Sequence, residues 1–282
     1  MTRPTLDAET AWTLIQSLAT QTTPGPCFLP GREEPVLTVG DRGDWQLHAT
    51  PADRTADDLL QCFVPLCLPT RDPVVYAQVG QSLDGRIATV TGASQFINGD
   101  GGLDHLHRLR AVADIVVVGA GTAASDRPRL TVRRVEGSNP DRAVIDPNRR
   151  VDRDQSLFDQ RQASTYCLVR EQAEHADEIG IPCPSDCMTP EGIIAVLRER
   201  GYRRIFIEGG SCTVSHFLEA GCLDHLHVIV APMIIGSGIP GIQLPAIDSL
   251  DGALRPEWAS FNLGSDYLFD MRLRSPAAAA GS

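Results

Sequence analysis

Residues 203–232 read "RRIFIEGGSCTVSHFLEAGCLDHLHVIVAP", and the order of signals along this stretch decides the fold. An apolar run, Ile205 to Ile207, ends in Glu208 and two glycines. Val214, Phe217 and Leu218 then recur at helical spacing, with Ser211 placed to cap that helix and Gly221 placed to end it. A second apolar run follows at 226–231. A strand that passes through a helix to the next strand implies a largely parallel sheet with covered faces. Glu208 therefore stands at a strand's carboxyl end, where open α/β sheets bind ligands. The glycines let backbone come close to a phosphate, and the amides opening the helix point at anionic oxygens.

Working outward, the same grammar holds upstream. Strands are expected at "VVYAQVG" (74–80), "DIVVVG" (114–119), "RAVID" (142–146) and "STYCLVR" (164–170). A helix over 190–200 is punctuated by Thr189 as cap, Pro190 at its first position and Gly201 past its end. A second glycine-rich turn follows "DIVVVG", and Gly119-Ala120-Gly121-Thr122-Ala123-Ala124 satisfies the dinucleotide fingerprint G-x-G-x-x-G/A. Pro128 comes seven residues after Gly121, so the helix lasts about two turns, and this strand is not in the first βα unit of its domain. Both features count against a Rossmann domain and leave a nucleotide-binding edge, with plain tight turns as the bland alternative. Towards the C-terminus "FNLG" and "SDYLFDMRLR" form an antiparallel hairpin on the sheet edge, with Tyr267, Phe269, Met271 and Leu273 alternating with more polar neighbours.

Residues 1–70 differ. A helix over 8–19, short strands around "GDRGD", a helix near 57–62 and the proline-broken linker "VPLCLPTRDP" describe a small α+β extension. The expected plan is that extension over 1–70, a larger domain over 71–275 and a disordered tail over 276–282.

An apolar content of 42% supports a substantial core, and the net charge of −11 argues against nucleic acid or an anionic membrane surface, leaving small molecules as partners. No apolar run approaches the roughly 20 residues that span a bilayer, and the N-terminus lacks a signal pattern, so a soluble cytoplasmic protein is expected. The eight cysteines form no Cys-x-x-Cys and read as reduced thiols. "LDHLH" occurs twice, at 103–107 and 223–227. The first copy lies in a helix, where His105 and His107 diverge; the second opens a strand, where His225 and His227 share a face. A structural repeat is thereby excluded. Neither spacing supplies three convergent ligands, so no metal is expected.

Taken in order, "GQSLDGRIATVTGASQFING", "LHRLRAVADIVVVGAGTAASDRPRLTVR", "VIDPNRRV" and "IFIEGGSCTVSHFLEAGCLDHLHVIVAPMIIGSG" resemble the reductase domain of riboflavin biosynthesis, over roughly Val74 to Arg274. The resemblance implies a dihydrofolate-reductase-like three-layer α/β fold and NADPH-dependent reduction of the ribosyl group of a 5-amino-6-(5-phosphoribosylamino)uracil-like substrate. It also implies a homodimer. The zinc deaminase motifs of bifunctional members, H-x-E and P-C-x-x-C, are missing from this sequence. By matching motifs, Asp126 and Glu208 would be catalytic. Gln81, Phe96, Thr122 and Asp126, with Gly209, Gly210, Ser211, Cys212, Thr213, Val214 and Ser215, would hold NADPH. Ser94, Arg110, Leu130, Arg133 and Glu208 would bind substrate, the two arginines taking its phosphate. Asp84 would fix a turn, and Arg149 and Arg150 are candidates for the cofactor's 2′-phosphate. The sequence departs from the family at Gln78, where many members carry lysine, at Phe96, Arg127 and Pro147. These departures keep two alternatives open: reduction of another pterin or pyrimidine heterocycle, or a non-catalytic nucleotide-binding subunit.

Overall fold

The computed structural model describes residues 3–94, 97–183 and 187–273. Phe96 and the expected tail at 276–282 lie outside them. The chain divides into two compact units, one ending at Val74 and one running from Val75 to Arg274.

In the first unit, β1 (Thr5–Leu6) pairs in parallel with β5 (Thr50–Pro51), and β2 (Gly25–Cys27), β3 (Leu37–Val39) and β4 (Trp45–Leu47) form an antiparallel sheet. Helix α1 (Ala8–Ala19) is capped by Asp7, whose carboxylate accepts the Thr10 N–H, and packs on α2 (Arg54–Cys67) through an edge-on contact of Trp12 with Phe63. α2 is longer than the sequence suggests. It begins at the Asp53 cap and runs through Pro65, which was expected to break it. The ring costs one backbone hydrogen bond close to the helix end, where the buried face of Leu59, Leu60, Phe63, Val64 and Leu66 repays it. Leu68, which precedes Pro69, is extended.

The second unit holds β6 (Val74–Ser82), β7 (Arg86–Thr89), α3 (Asp100–Val112), β8 (Ile115–Gly119), α4 (Ala120–Asp126), β9 (Asp141–Ile145), β10 (Thr165–Arg170), β11 (Glu178–Ile181), α5 (Pro190–Glu199), β12 (Arg204–Ile207), α6 (Ser211–Glu219), β13 (His225–Ala231), β14 (Gly238–Pro240), β15 (Glu257–Asn262) and β16 (Tyr267–Arg272). Nine strands form one sheet in the order β11-β10-β9-β8-β12-β6-β13-β16-β15. It is mostly parallel; the antiparallel pairings are β13–β16 and β16–β15, where the C-terminal hairpin forms the edge. β7 and β14 make a separate ribbon.

Alternation along each strand sorts the side chains into two layers. Val75, Ala77 and Val79, Ile205 and Ile207, and Leu226 and Val228 join Ile193 and Leu197 of α5 and Val214 and Phe217 of α6 in one core. Tyr76, Phe206 and His227 face the other way, towards α3: Tyr76 stacks on Phe206 and donates its hydroxyl to the Leu109 carbonyl at 3.0 Å. Helices on both faces give the three-layer arrangement.

The two "LDHLH" copies behave as expected in secondary structure, yet they touch: His105 Nε2 lies 2.8 Å from His227 Nδ1. On β16, Phe269, Met271 and Leu273 pack against the core as the alternation predicts, while Tyr267 is exposed and the alternate positions Leu268 and Asp270 are buried as well. Strand β11 escapes the sequence reading because "EIGI" is short and follows a polar stretch. No disulfide joins the eight cysteines.

Candidate active site

β8 and β12 lie side by side, so their carboxyl ends bring the two glycine-rich turns together; the Glu208 N–H still donates to the Val117 carbonyl at 2.9 Å. The turns are fitted closely to each other. Thr122 of α4 accepts the Gly210 N–H at 3.0 Å, and a methyl added at Gly119 would lie 2.5 Å from the Thr213 hydroxyl oxygen. Added at Gly209 it would lie 3.4 Å from the Gly119 nitrogen. These glycines are thus required first by turn-on-turn packing.

The start of α6 differs from the sequence expectation. The cap position is Gly210, with no side-chain hydrogen bond, and Ser211 is the first helical residue rather than the cap. Its buried hydroxyl has no hydrogen-bond partner among the described residues. An uncapped helix end with an unsatisfied hydroxyl is a site built for anionic oxygens. Cys212 is exposed, Thr213 half-buried and Val214 in the core, while Ser215 accepts the Gln243 N–H at 2.8 Å. Of the residues assigned to the cofactor, Thr122, Gly209, Gly210 and Thr213 therefore meet where the two turns touch, Ser211 and Cys212 lie in the same helix start, and Val214 and Ser215 are buried behind them. Gln81 lies on β6, on the α5 and α6 side.

On the α3 side, Glu208 is met by Arg110. The guanidinium Nε and Nη2 donate to the two carboxylate oxygens at 2.7 and 2.5 Å, and Nη1 donates to the Thr131 carbonyl at 3.0 Å. The arginine is almost fully buried; burial alone would lower its pKa, but Glu208 outweighs that and raises it. Arg110 thus spends its fork on Glu208, as a clamp on the carboxylate. Arg133 is different. It is exposed, gives one hydrogen bond to the Thr131 hydroxyl at 2.5 Å, and has its pKa lowered by partial burial and by the charges of Arg110 and Arg129. Mutually repelling cations at a rim favour a bound anion.

The loop carrying Arg133 is firmly held. Arg127 and Leu130 adopt left-handed backbone, with φ of 44° and 53°, a conformation that costs a non-glycine residue and persists only under constraint. The constraints are visible. The fully buried Arg142 donates to the carbonyls of Arg129, Asp159 and Ala163, Asn139 accepts the Val132 N–H, and His107 Nδ1 accepts the Arg133 N–H at 2.9 Å. Burial, then the nearby arginines, pushes the His107 pKa down to about 4, so the ring is a neutral acceptor. The sequence reading missed Arg142, whereas His107, read from sequence as a partly buried hydrogen-bonding side chain three residues before Arg110, is buried and accepts a hydrogen bond. Leu130 is buried beneath this loop, Asp126 is exposed at the end of α4 with a hydrogen bond from Ser125, and Ser94 is exposed.

Two further amide atoms, Gln78 Oε1 on β6 and Asn98 Nδ2 at the entrance to α3, are buried without hydrogen-bond partners among the described residues. Asn98 lies against Gly80, where an added methyl would come within 1.9 Å of its carbonyl oxygen. Asp84 fixes its turn as expected, accepting from the Ser82 hydroxyl and from the amides of Ile235 and Gly236. Arg149 is tied to Glu178 by two hydrogen bonds, while Arg150 is exposed.

A mostly parallel sheet with an antiparallel edge hairpin, covered by helices on both faces, is a dihydrofolate-reductase-like α/β fold, with the candidate site at the carboxyl ends of adjacent strands. The model of the RibD C-terminal domain matches residues 73–262. A 2,5-diamino-6-ribosylamino-4(3H)-pyrimidinone 5′-phosphate reductase of Methanothermobacter thermautotrophicus is 32% identical over 72% of this chain and 99% of its own length. Riboflavin biosynthesis protein RibD of Aquifex aeolicus is 30% identical over 69% of this chain and 56% of its own length. A crystal structure of a diaminohydroxyphosphoribosylaminopyrimidine deaminase/5-amino-6-(5-phosphoribosylamino)uracil reductase from Thermotoga maritima superposes with a TM-score of 0.58, 26% identity, and coverage of 80% of this chain and 64% of that one. The chain belongs to the RibD C-terminal domain family and is an oxidoreductase of the riboflavin-pathway reductase type. It spans nearly all of the archaeal reductase and about half of several bacterial RibD proteins. Among the described residues no helix is long and apolar enough to cross a membrane.

Proposed function

We propose that the protein reduces the ribosylamino group of an aminopyrimidine 5′-phosphate to a ribitylamino group with NADPH, within a reductase domain at 71–275 to which residues 1–70 are appended. The observation that carries this reading is the uncapped start of α6, with the unsatisfied Ser211 hydroxyl, set against the Thr122 turn at the carboxyl ends of β8 and β12. Dinucleotide phosphates fit that helix start: Gly209 to Thr213 and Thr122 would hold them, and Arg150 is the cation available for the 2′-phosphate. The cofactor supplies a hydride to the opened sugar; the chain supplies orientation and charge.

On this reading Arg133, with Arg129 beside it, takes the substrate phosphate. Arg110 acts one step back, fixing Glu208 so that its carboxylate accepts hydrogen bonds from the sugar. Asp126 and Ser94 stand at the exposed mouth. Gln78 Oε1 and Asn98 Nδ2 offer an acceptor and a donor to the heterocycle. Where Gln78 replaces lysine, recognition is by a neutral amide, which is the specific ground for testing related heterocycles. The protein would act as a cytoplasmic homodimer.

The test is NADPH oxidation with the 2,5-diaminopyrimidinone and the 5-aminouracil ribosylamino phosphates, each compared with a pterin. Turnover of either phosphate is expected. Turnover of the pterin alone would replace the substrate, and NADPH binding with no turnover of any of the three would leave a nucleotide-binding subunit.

A further inference from the structure

The histidines of the second "LDHLH" copy have a use that the reductase site does not need. His225 and His227 project from one face of β13, and β16 places Asp270 directly opposite His227 in the antiparallel register. Asp270 Oδ1 lies 2.9 Å from His225 Nδ1 and 3.4 Å from His227 Nε2. The ligating atoms of all three residues lie within 4.8 Å of one another. Metal–ligand bonds of about 2.0–2.1 Å in a tetrahedron separate neighbouring ligand atoms by roughly 3.3 Å, a value that falls between the two separations from Asp270. The third ligand missing from the sequence spacing therefore comes from another strand, at a position masked by the apolar alternation of its neighbours.

Three further features match a metal site. His227 is fully buried, and its Nε2 has no hydrogen-bond partner among the described residues, nor does Asp270 Oδ2. His227 Nδ1 is already engaged by His105 Nε2 at 2.8 Å, so a proton on Nδ1 leaves the Nε2 lone pair free to ligate; such an outer partner is the usual companion of a ligating histidine. Arg272 Nε lies 3.7 Å from Asp270 Oδ2, close enough to pair in charge with the carboxylate but beyond hydrogen-bond distance. The donor set, two imidazoles and one carboxylate, suits zinc and related divalent transition ions and not magnesium or calcium, which take oxygen ligands. Of the three side chains only His225 reaches the surface, at 11% exposure, so an ion would enter past it.

We propose that His225, His227 and Asp270 bind a zinc-class divalent ion that clips β16 to β13 and, through His105, to α3. The test uses the full chain without a histidine tag, stripped of metal and titrated with Co²⁺. One equivalent should bind with the visible absorption of tetrahedral cobalt and no thiolate charge-transfer band, raise the thermal midpoint, and be displaced by Zn²⁺. His225→Gln and Asp270→Asn should each weaken binding more than about tenfold; His225→Gln is the milder change should Asp270→Asn fail to fold. No visible band and no thermal shift in the unmodified chain would overturn the proposal. So would equal binding by His225→Gln, or a spectrum carrying thiolate bands.

Discussion

Arg110 and Arg133 look equivalent in sequence and are opposites in structure, and their replacements should separate cleanly. Arg110→Ala leaves Glu208 without its cation in a mostly buried pair, so it should destabilise the protein by about 3 kcal/mol in urea melts. Arg133→Ala removes an exposed cation: stability should hold within about 0.5 kcal/mol, while KM for the phosphorylated substrate rises about tenfold or more. His107 gives a pH prediction. Unfolded, its imidazole takes a proton near 6.5; folded, only near 4. Across that window the unfolded chain binds more protons, so stability should fall as pH falls from 6.5 to 4. His107→Asn keeps an acceptor near the Nδ1 position and cannot titrate, so its thermal midpoint should decline less over the same range. Motif matching could name Arg110 and Arg133, but it could not show that one of them is already spent on Glu208. That depends on α3 crossing the strand that bears Glu208, a contact between residues 98 positions apart.

At the scale of elements, the strand–turn–helix succession was legible because glycine, proline and apolar spacing act locally, and α1, α5 and the parallel strands follow from it. Pro65 was misread, and the burial of Asp270 went unseen, for the same reason in reverse. Tertiary burial carried α2 through its proline, and pairing with β13 turned an aspartate inward. The meeting of the α4 and α6 turns is likewise a tertiary fact, and it makes a sharp contrast between two glycines. Gly119→Ala would force its methyl against Thr213, cost about 1–3 kcal/mol of overpacking, and lower cofactor affinity. Gly121→Ala meets nothing within 4 Å and lies within α4, so it should stabilise by about 0.5–1 kcal/mol and leave affinity alone. Ser211→Ala should not lower the thermal midpoint, since its hydroxyl has no partner among the described residues to lose, and should weaken NADPH binding severalfold in a direct titration.

For the whole molecule, β15 closes one end of the nine-stranded sheet with Trp258 63% exposed and Tyr267 of its partner strand also exposed. An open strand edge bearing large apolar side chains is a pairing surface. If the chain dimerises through this edge, light scattering should give a dimer for the unmodified chain and a monomer for Trp258→Asp, with the secondary structure of each unchanged. A dimer that survives the substitution would place the contact elsewhere.

The strand order also sets a timetable for synthesis. β6 leaves the ribosome early, but its two sheet neighbours, β12 and β13, arrive only with residues 204–231; the Val75 N–H waits for the Asp224 carboxylate, 149 positions later. Until then the strand that will become the middle of the sheet has two bare edges, a state open to misassociation. Such late closure is intrinsically slow. Nascent chains ending before Arg204 should therefore be held by chaperones or aggregate, and release to a protease-resistant state should come only after β13 has emerged.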